Sequence, residues 1–257
     1  MLDVHPPHEA AHSWKDFLIH MTTICLGLLI AIGLEQSVEW MHRRHERAQL
    51  QEDLRAELEQ NQDLIRNDVA VLDGHMVWLT RWNAAAQDAR DRKVPLTVTM
   101  TEYGFTQRVG RRFDLPSVAV WSVAEHAMTV GLLPRDQAEA FEKMSTVRER
   151  MVEGFQARVA VYRERTAFEA RFADASAPTV PVCSKMSPEE LNEYSALLMR
   201  EYTAVRLEEM YQLMLFGVDR TLLDGRYDRS DLAEGMYSVE GELWTRPGSK
   251  HPTLDAR

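Results

Sequence analysis

The chain has 257 residues, 45% of them hydrophobic and 27% charged, which suits one globular domain with a real core beside an N-terminal segment. Thirty Lys and Arg against forty Asp and Glu give a net charge of -10. That balance argues against nucleic-acid binding, which needs clustered cations to neutralise phosphate. The short group Arg108, Arg111 and Arg112 reads as a solvated helix face.

The first sixteen residues form a polar leader. It contains His8-Glu9-Ala10-Ala11-His12, a match to H-E-x-x-H. On a helix this pattern sets two imidazoles one turn apart to hold zinc, with the glutamate as general base. Here it follows Pro6 and Pro7, and no preceding domain builds a cleft around it. His8, Glu9 and His12 are therefore weak metal candidates, and a chance match in a His-rich leader is the plainer reading. No cofactor is expected.

Residues 17–34 contain no Asp, Glu, Lys or Arg. As a helix they would span roughly 27 Å, close to the hydrocarbon thickness of a bilayer. Trp14 and Trp40 bracket the run as interfacial anchors, roughly 39 Å apart along a helix. A buried core helix is usually shorter or amphipathic. A cleaved signal peptide, with Ala31 and Gly33 at the cleavage site, would need a basic leader and a break after Gly33. A lipoprotein would need a small residue before Cys25, where Ile24 stands. Gly27 and Ala31 form a small-xxx-small pair, a weak dimer signal. Arg43, Arg44 and Arg47 outnumber Lys15 across the run, so the positive-inside rule places residues 41–257 in the cytoplasm, the periplasm being the alternative. Cys25 and Cys183 offer no disulfide framework.

Residues 35–93 hold no Pro and one Gly, and continue the helix. Leu58, Ile65, Leu72 and Leu79 recur every seven residues, with Val69 and Met76 between them. This is a coiled-coil-like seam for a partner helix, from this chain or a second copy. Residues 94–116 interrupt it, starting at Pro95. Pro116 and Ser117 then open a helix ending at Gly131.

Pro134 and Asp136 open a long helix to about Ala173, with Phe141, Met144, Met151, Phe155, Val159 and Tyr162 as its apolar face. Residues 174–186 read as a loop. Ser187-Pro188-Glu189-Glu190 is a capping-box start for a helix to about Leu223, striped by Leu191, Tyr194, Leu198, Tyr202, Val205, Met210 and Leu213. Residues 225–257, with four glycines and two prolines, are expected to be irregular or disordered. The fold expected is all-α: a transmembrane helix at 17–34 continuing into an antiparallel bundle over 35–224.

Other constellations are weaker. His42 and His45, beside the arginines, could sense pH, and a solvated interfacial face is the plainer reading. Asp224, Asp228, Asp231 and Glu234 fail the calcium-hand pattern, since Arg229 and Gly235 occupy its sixth and twelfth positions. Ser122, Glu125 and His126 lack a nucleophile elbow and read as helix surface.

The stretch Thr23–Gln36 (TICLGLLIAIGLEQ), followed by Trp40, resembles the N-terminus of a group of uncharacterised bacterial single-pass membrane proteins with a Gly-Leu-Leu-Ile-Ala type membrane helix and a helical domain. The resemblance covers residues 13–47. It implies an inner-membrane location and carries no activity or site residues.

Three functional readings follow. The first is a membrane-anchored interaction or scaffold protein that is not an enzyme, with the lipid bilayer and a second copy or another protein as partners. Burial of every heptad position within one chain, together with no partner co-purifying, would rule that reading out. The second is a sensory or small-ligand module acting through a partner, favoured by a pocket with convergent polar groups. The third is a zinc hydrolase built on the HEAAH segment.

Overall fold

The computed structural model describes residues 14–92, 115–174, 177–181 and 185–245. Five α-helices and one short β-pair make up the described chain: α1 (Trp14–Arg92), α2 (Ala119–His126), α3 (Arg135–Ala170), α4 (Pro188–Leu223) and α5 (Arg229–Thr245), with β1 (Ala173–Asp174) and β2 (Ala177–Pro181) between α3 and α4. The fold is all-α, and the chain divides into two compact units, Met1–Gln51 and Glu52–Arg257.

In the first unit, residues Trp14 to Gln49 are helical and exposed throughout. α1 contains an 18-residue window apolar and long enough to cross a membrane, and none of that window is buried. Two of its hydroxyl-bearing residues return their hydrogen bonds to their own helix: Thr23 Oγ1 donates to the Ile19 carbonyl at 2.8 Å and Ser37 Oγ to the Gly33 carbonyl at 2.7 Å. This satisfies the hydroxyls without water. Trp14 stacks on Phe17, and the Arg44 guanidinium lies over the Trp40 ring.

In the second unit, the heptad seam of α1 is consumed within the chain. Leu54, Leu58, Ile65, Leu72 and Leu79 are each no more than 2% exposed, and Leu72, Met76, Leu79, Trp78 and Trp82 share a core with Leu191, Leu198 and Val205 of α4. α4 runs antiparallel to α1, since Trp82 meets Tyr194 while Arg66 lies over the Phe216 ring. It is antiparallel to α3 as well, because Arg165 meets Glu201 and Arg158 meets Glu208. α4 is thus the shared neighbour of both long helices.

Local chemistry explains the boundaries. Ser187 Oγ accepts from the Glu190 amide at 3.2 Å, and the Glu190 carboxylate accepts from the Ser187 amide at 2.9 Å. This is the expected capping box, with Pro188 in the first turn. α4 stops at Gly225, whose φ of 74° suits a residue without Cβ.

Five expectations need correction. The helix opened by Pro116 does not reach Gly131: α2 ends at His126, Met128 takes the left-handed conformation at φ 57°, and a 3-10 turn covers Thr129–Leu132. The loop at 174–186 contains β2, paired antiparallel with β1. The tail from 225 onward is not irregular throughout, because residues 229–245 form α5. Gly235 explains this. It acts as a notch, since a Cβ there would lie 2.8 Å from the Gly217 carbonyl oxygen of α4 and closer still to Thr221 Oγ1. Finally, the buried face of α3 beyond Gly154 is Arg158, Arg165, Phe168 and Glu169, while Phe155, Val159 and Tyr162 are half-buried beside it. On α4, Met210 is 36% exposed and lies off the core stripe.

Candidate functional site: a charged layer inside the bundle

The charged residues of that corrected face build the site. Along α3, Met144, Met151, Arg158 and Arg165 follow one another every seven residues, all buried, and Phe172 just past its end continues the series. Along α4, Tyr194, Glu201, Glu208, Leu215 and Leu222 do the same. Antiparallel packing sets the two arginines against the two glutamates.

Arg165 is the hub. Its Nε donates to Glu201 Oε2 and its Nη1 to Glu169 Oε1. Its guanidinium lies 5.2 Å from the Trp78 ring centroid and 5.3 Å from that of Tyr162, so two aromatic faces flank it. Tyr194 donates its hydroxyl to Glu169 Oε1 at 2.7 Å and accepts from Trp82 Nε1. His75 of α1 places Nε2 3.1 Å from Glu201 Oε1. One layer away, Arg158 Nε donates to Glu208 Oε2 at 2.5 Å, with the guanidinium 5.2 Å from the Phe155 ring centroid.

Two guanidiniums therefore face three carboxylates out of reach of water. Burial opposes charge on Arg165, but Glu169 and Glu201 outweigh it and raise its pKa. Burial would lift Glu201, yet the His75 hydrogen bond and Arg165 hold it below the usual carboxylate range. Burial wins at Glu169 and at Glu208, pushing both up against the pull of their arginines. It wins at His75 too, lowering its pKa so that the imidazole is neutral at pH 7. The layer's hydrogen bonds and ion pairs run between buried side chains of α1, α3 and α4, so it acts as electrostatic architecture within the bundle.

The residues singled out from sequence fall elsewhere. His8, Glu9 and His12, and the Arg108, Arg111, Arg112 group, lie outside the described residues. Among the described residues no group of three or more His, Cys, Asp or Glu is placed to hold a metal. His42 pairs with Glu46 at 3.0 Å on the exposed surface of α1, and His45 is exposed. The acidic group after α4 is organised by Arg226, whose Nη2 lies 2.7 Å from Asp231 and 3.1 Å from Glu234. His126 Nδ1 sits 2.6 Å from the Ser122 carbonyl oxygen on the exposed side of α2, as helix surface does. A separate groove of about 770 Å³ lies between α3 and α5, lined by Asp136, Glu139, Lys143, Tyr227, Leu232 and Tyr237 among others.

The sequence reading missed Arg158, Arg165, Glu169, Glu201 and Glu208. The signal was present as charged residues interrupting apolar series of period seven on two helices. No protein-family model, curated protein or solved structure matches the chain.

Proposed function

We propose that the chain is a single-pass membrane protein, anchored by residues 17–34, whose helical bundle recruits or holds a protein partner and is not an enzyme. One observation carries this reading: an 18-residue apolar window lies fully exposed on α1. In water such a surface would drive aggregation, because contiguous exposed apolar area is unfavourable. In a bilayer it is matched to its solvent, and the self-bonded Thr23 hydroxyl lowers the cost of entry. The arginines at 43, 44 and 47 favour the cytoplasmic side for the bundle, and the resemblance of residues 13–47 to bacterial membrane proteins favours an inner membrane. Since the heptad seam is filled from within the chain, a partner would use another face of the bundle.

The test is protease protection of a C-terminally tagged chain. The tag should pellet with membranes, resist alkaline carbonate, survive protease in spheroplasts and be cut after lysis. Release by carbonate would end the anchor reading, and digestion in spheroplasts would place the bundle in the periplasm. The groove between α3 and α5 supports a second reading, a small-ligand module that signals through a partner. Saturable stabilisation of the full chain by a small molecule, lost in Leu232→Trp, would favour it over the scaffold reading.

A further inference from the structure

The seam between α1 and α4 sets acid against acid at two levels. Its register is fixed by Trp82 with Tyr194, His75 with Glu201, and Arg66 over Phe216. Carried along both helices, the same antiparallel register puts Asp73 opposite Glu209 and Glu57 opposite Asp219.

At the first level Glu209 is 3% exposed. Its Oε2 accepts from Arg206 Nη1 of its own helix at 2.5 Å, and the Asp73 carboxyl faces it from α1. On the α3 side, the neighbouring cation Arg158 is engaged by Glu208. At the second level Asp219 is completely buried, and neither of its carboxyl oxygens meets a hydrogen-bond partner among the described residues. Glu57 faces it from α1, already accepting the α2 amides of Ala119 at 2.7 Å and Val120 at 3.3 Å. α5 reaches this stretch of α4 through Gly235, which brings no charge.

Two ionised carboxylates repel where water is scarce, most strongly at the fully buried Asp219 and less at the half-buried Asp73, so each level is most stable with one proton between its pair. We propose that the α1–α4 seam closes with a proton held at each level, which makes closure of the bundle proton-coupled. The bundle is tight in mildly acidic medium and loosens as the pH rises. This inference stands whether or not residues 17–34 enter a bilayer.

The titration directions agree. Burial first, and then the facing acid, push Asp219 well up and Glu209 up to about 7. A carboxyl raised in the folded state gives stability that is complete below its unfolded value and is lost as pH rises through its folded one. For Glu209 the window runs from its ordinary 4.5 to about 7, and for Asp219 it extends higher than its ordinary 3.8 in the same sense. His75 acts oppositely: its lowered pKa removes stability only as pH falls below its ordinary 6.5. Above that value the acids act without it, together with Glu169 and Glu208, which burial also raises.

The experiment is amide hydrogen exchange of the full chain in detergent micelles, between about pH 6.5 and about pH 8.5, corrected for intrinsic exchange. The opening equilibrium of residues 52–92 and of α4 should rise by up to about tenfold per pH unit for each proton released. Asp219→Asn and Glu209→Gln should each flatten the slope, and the double variant should lose most of it. A wild-type profile without slope, or a double variant with the full wild-type slope, overturns the proposal. Should the Asn variant fail to fold, infrared spectra of the unmodified chain and of Glu209→Gln decide. A protonated-carboxyl carbonyl band present near pH 6.5, shrinking as the pH rises and weaker in Glu209→Gln supports the proposal, and a band absent near pH 6.5 or unchanged in Glu209→Gln refutes it.

Discussion

The two stretches of α1 invert each other. From residue 17 to 34 the helix is apolar and every side chain is exposed. From Glu52 to Arg92 it is rich in charge, yet Glu57, Asn61, Gln62 and His75 are buried. The comparison teaches that burial follows the available partner and not the side chain's polarity. An apolar face with no protein partner calls for a lipid one. A polar face is buried where neighbouring segments supply donors and acceptors, as the α2 amides do for Glu57, the Ser117 backbone for Asn61 and Glu201 for His75.

The largest break in that comparison should come from removing one charge of the buried layer. Arg165→Met leaves Glu201 and Glu169 without their shared cation, and the cost should be about 3–5 kcal/mol in chemical unfolding of the full chain in detergent. A loss under about 1 kcal/mol would mean that the layer contributes no more than a surface pair. Next, Leu28→Arg places a charge in the exposed apolar window. An insertion penalty of about 3 kcal/mol should shift the chain from the membrane fraction to the soluble or aggregated one. Unchanged membrane pelleting would show that the window is not the anchor. The smallest effect should come from Gly235→Ala, which fills the notch against Gly217 and Thr221. Overpacking there should cost about 1–3 kcal/mol. If the unfolding midpoint does not move, α5 does not depend on that close approach.

Much of the architecture was legible because its signals are local. The uncharged run at 17–34, the sevenfold leucines and the Ser187 capping box each sit within one helix, and each appears in the structure. α5 was hidden because Gly235 looks like a breaker in sequence and functions as a packing notch in space. Met128 was hidden because a left-handed methionine is uncommon, and the sequence offered Gly131 as the natural stop. The charged layer was hidden for a deeper reason. A buried arginine is tolerable only with its carboxylate, and Arg165 lies 36 residues from Glu201. No reading of one helix reveals that pairing, although the sevenfold series Met151, Arg158, Arg165 carried half of it.

The sevenfold spacing of both charged pairs has a consequence for assembly. Helices that match by heptads are prone to sliding past one another by one repeat, because leucine meets leucine again. Slid one way, α3 would press Arg158 against Leu215. Slid the other way, Glu208 would be pressed against Met151. Either error strands a charge in hydrocarbon surroundings, at a cost of several kcal/mol. The layer therefore proofreads the alignment of α3 on α4, so that of several sterically acceptable bundles only one is electrically neutral enough to form.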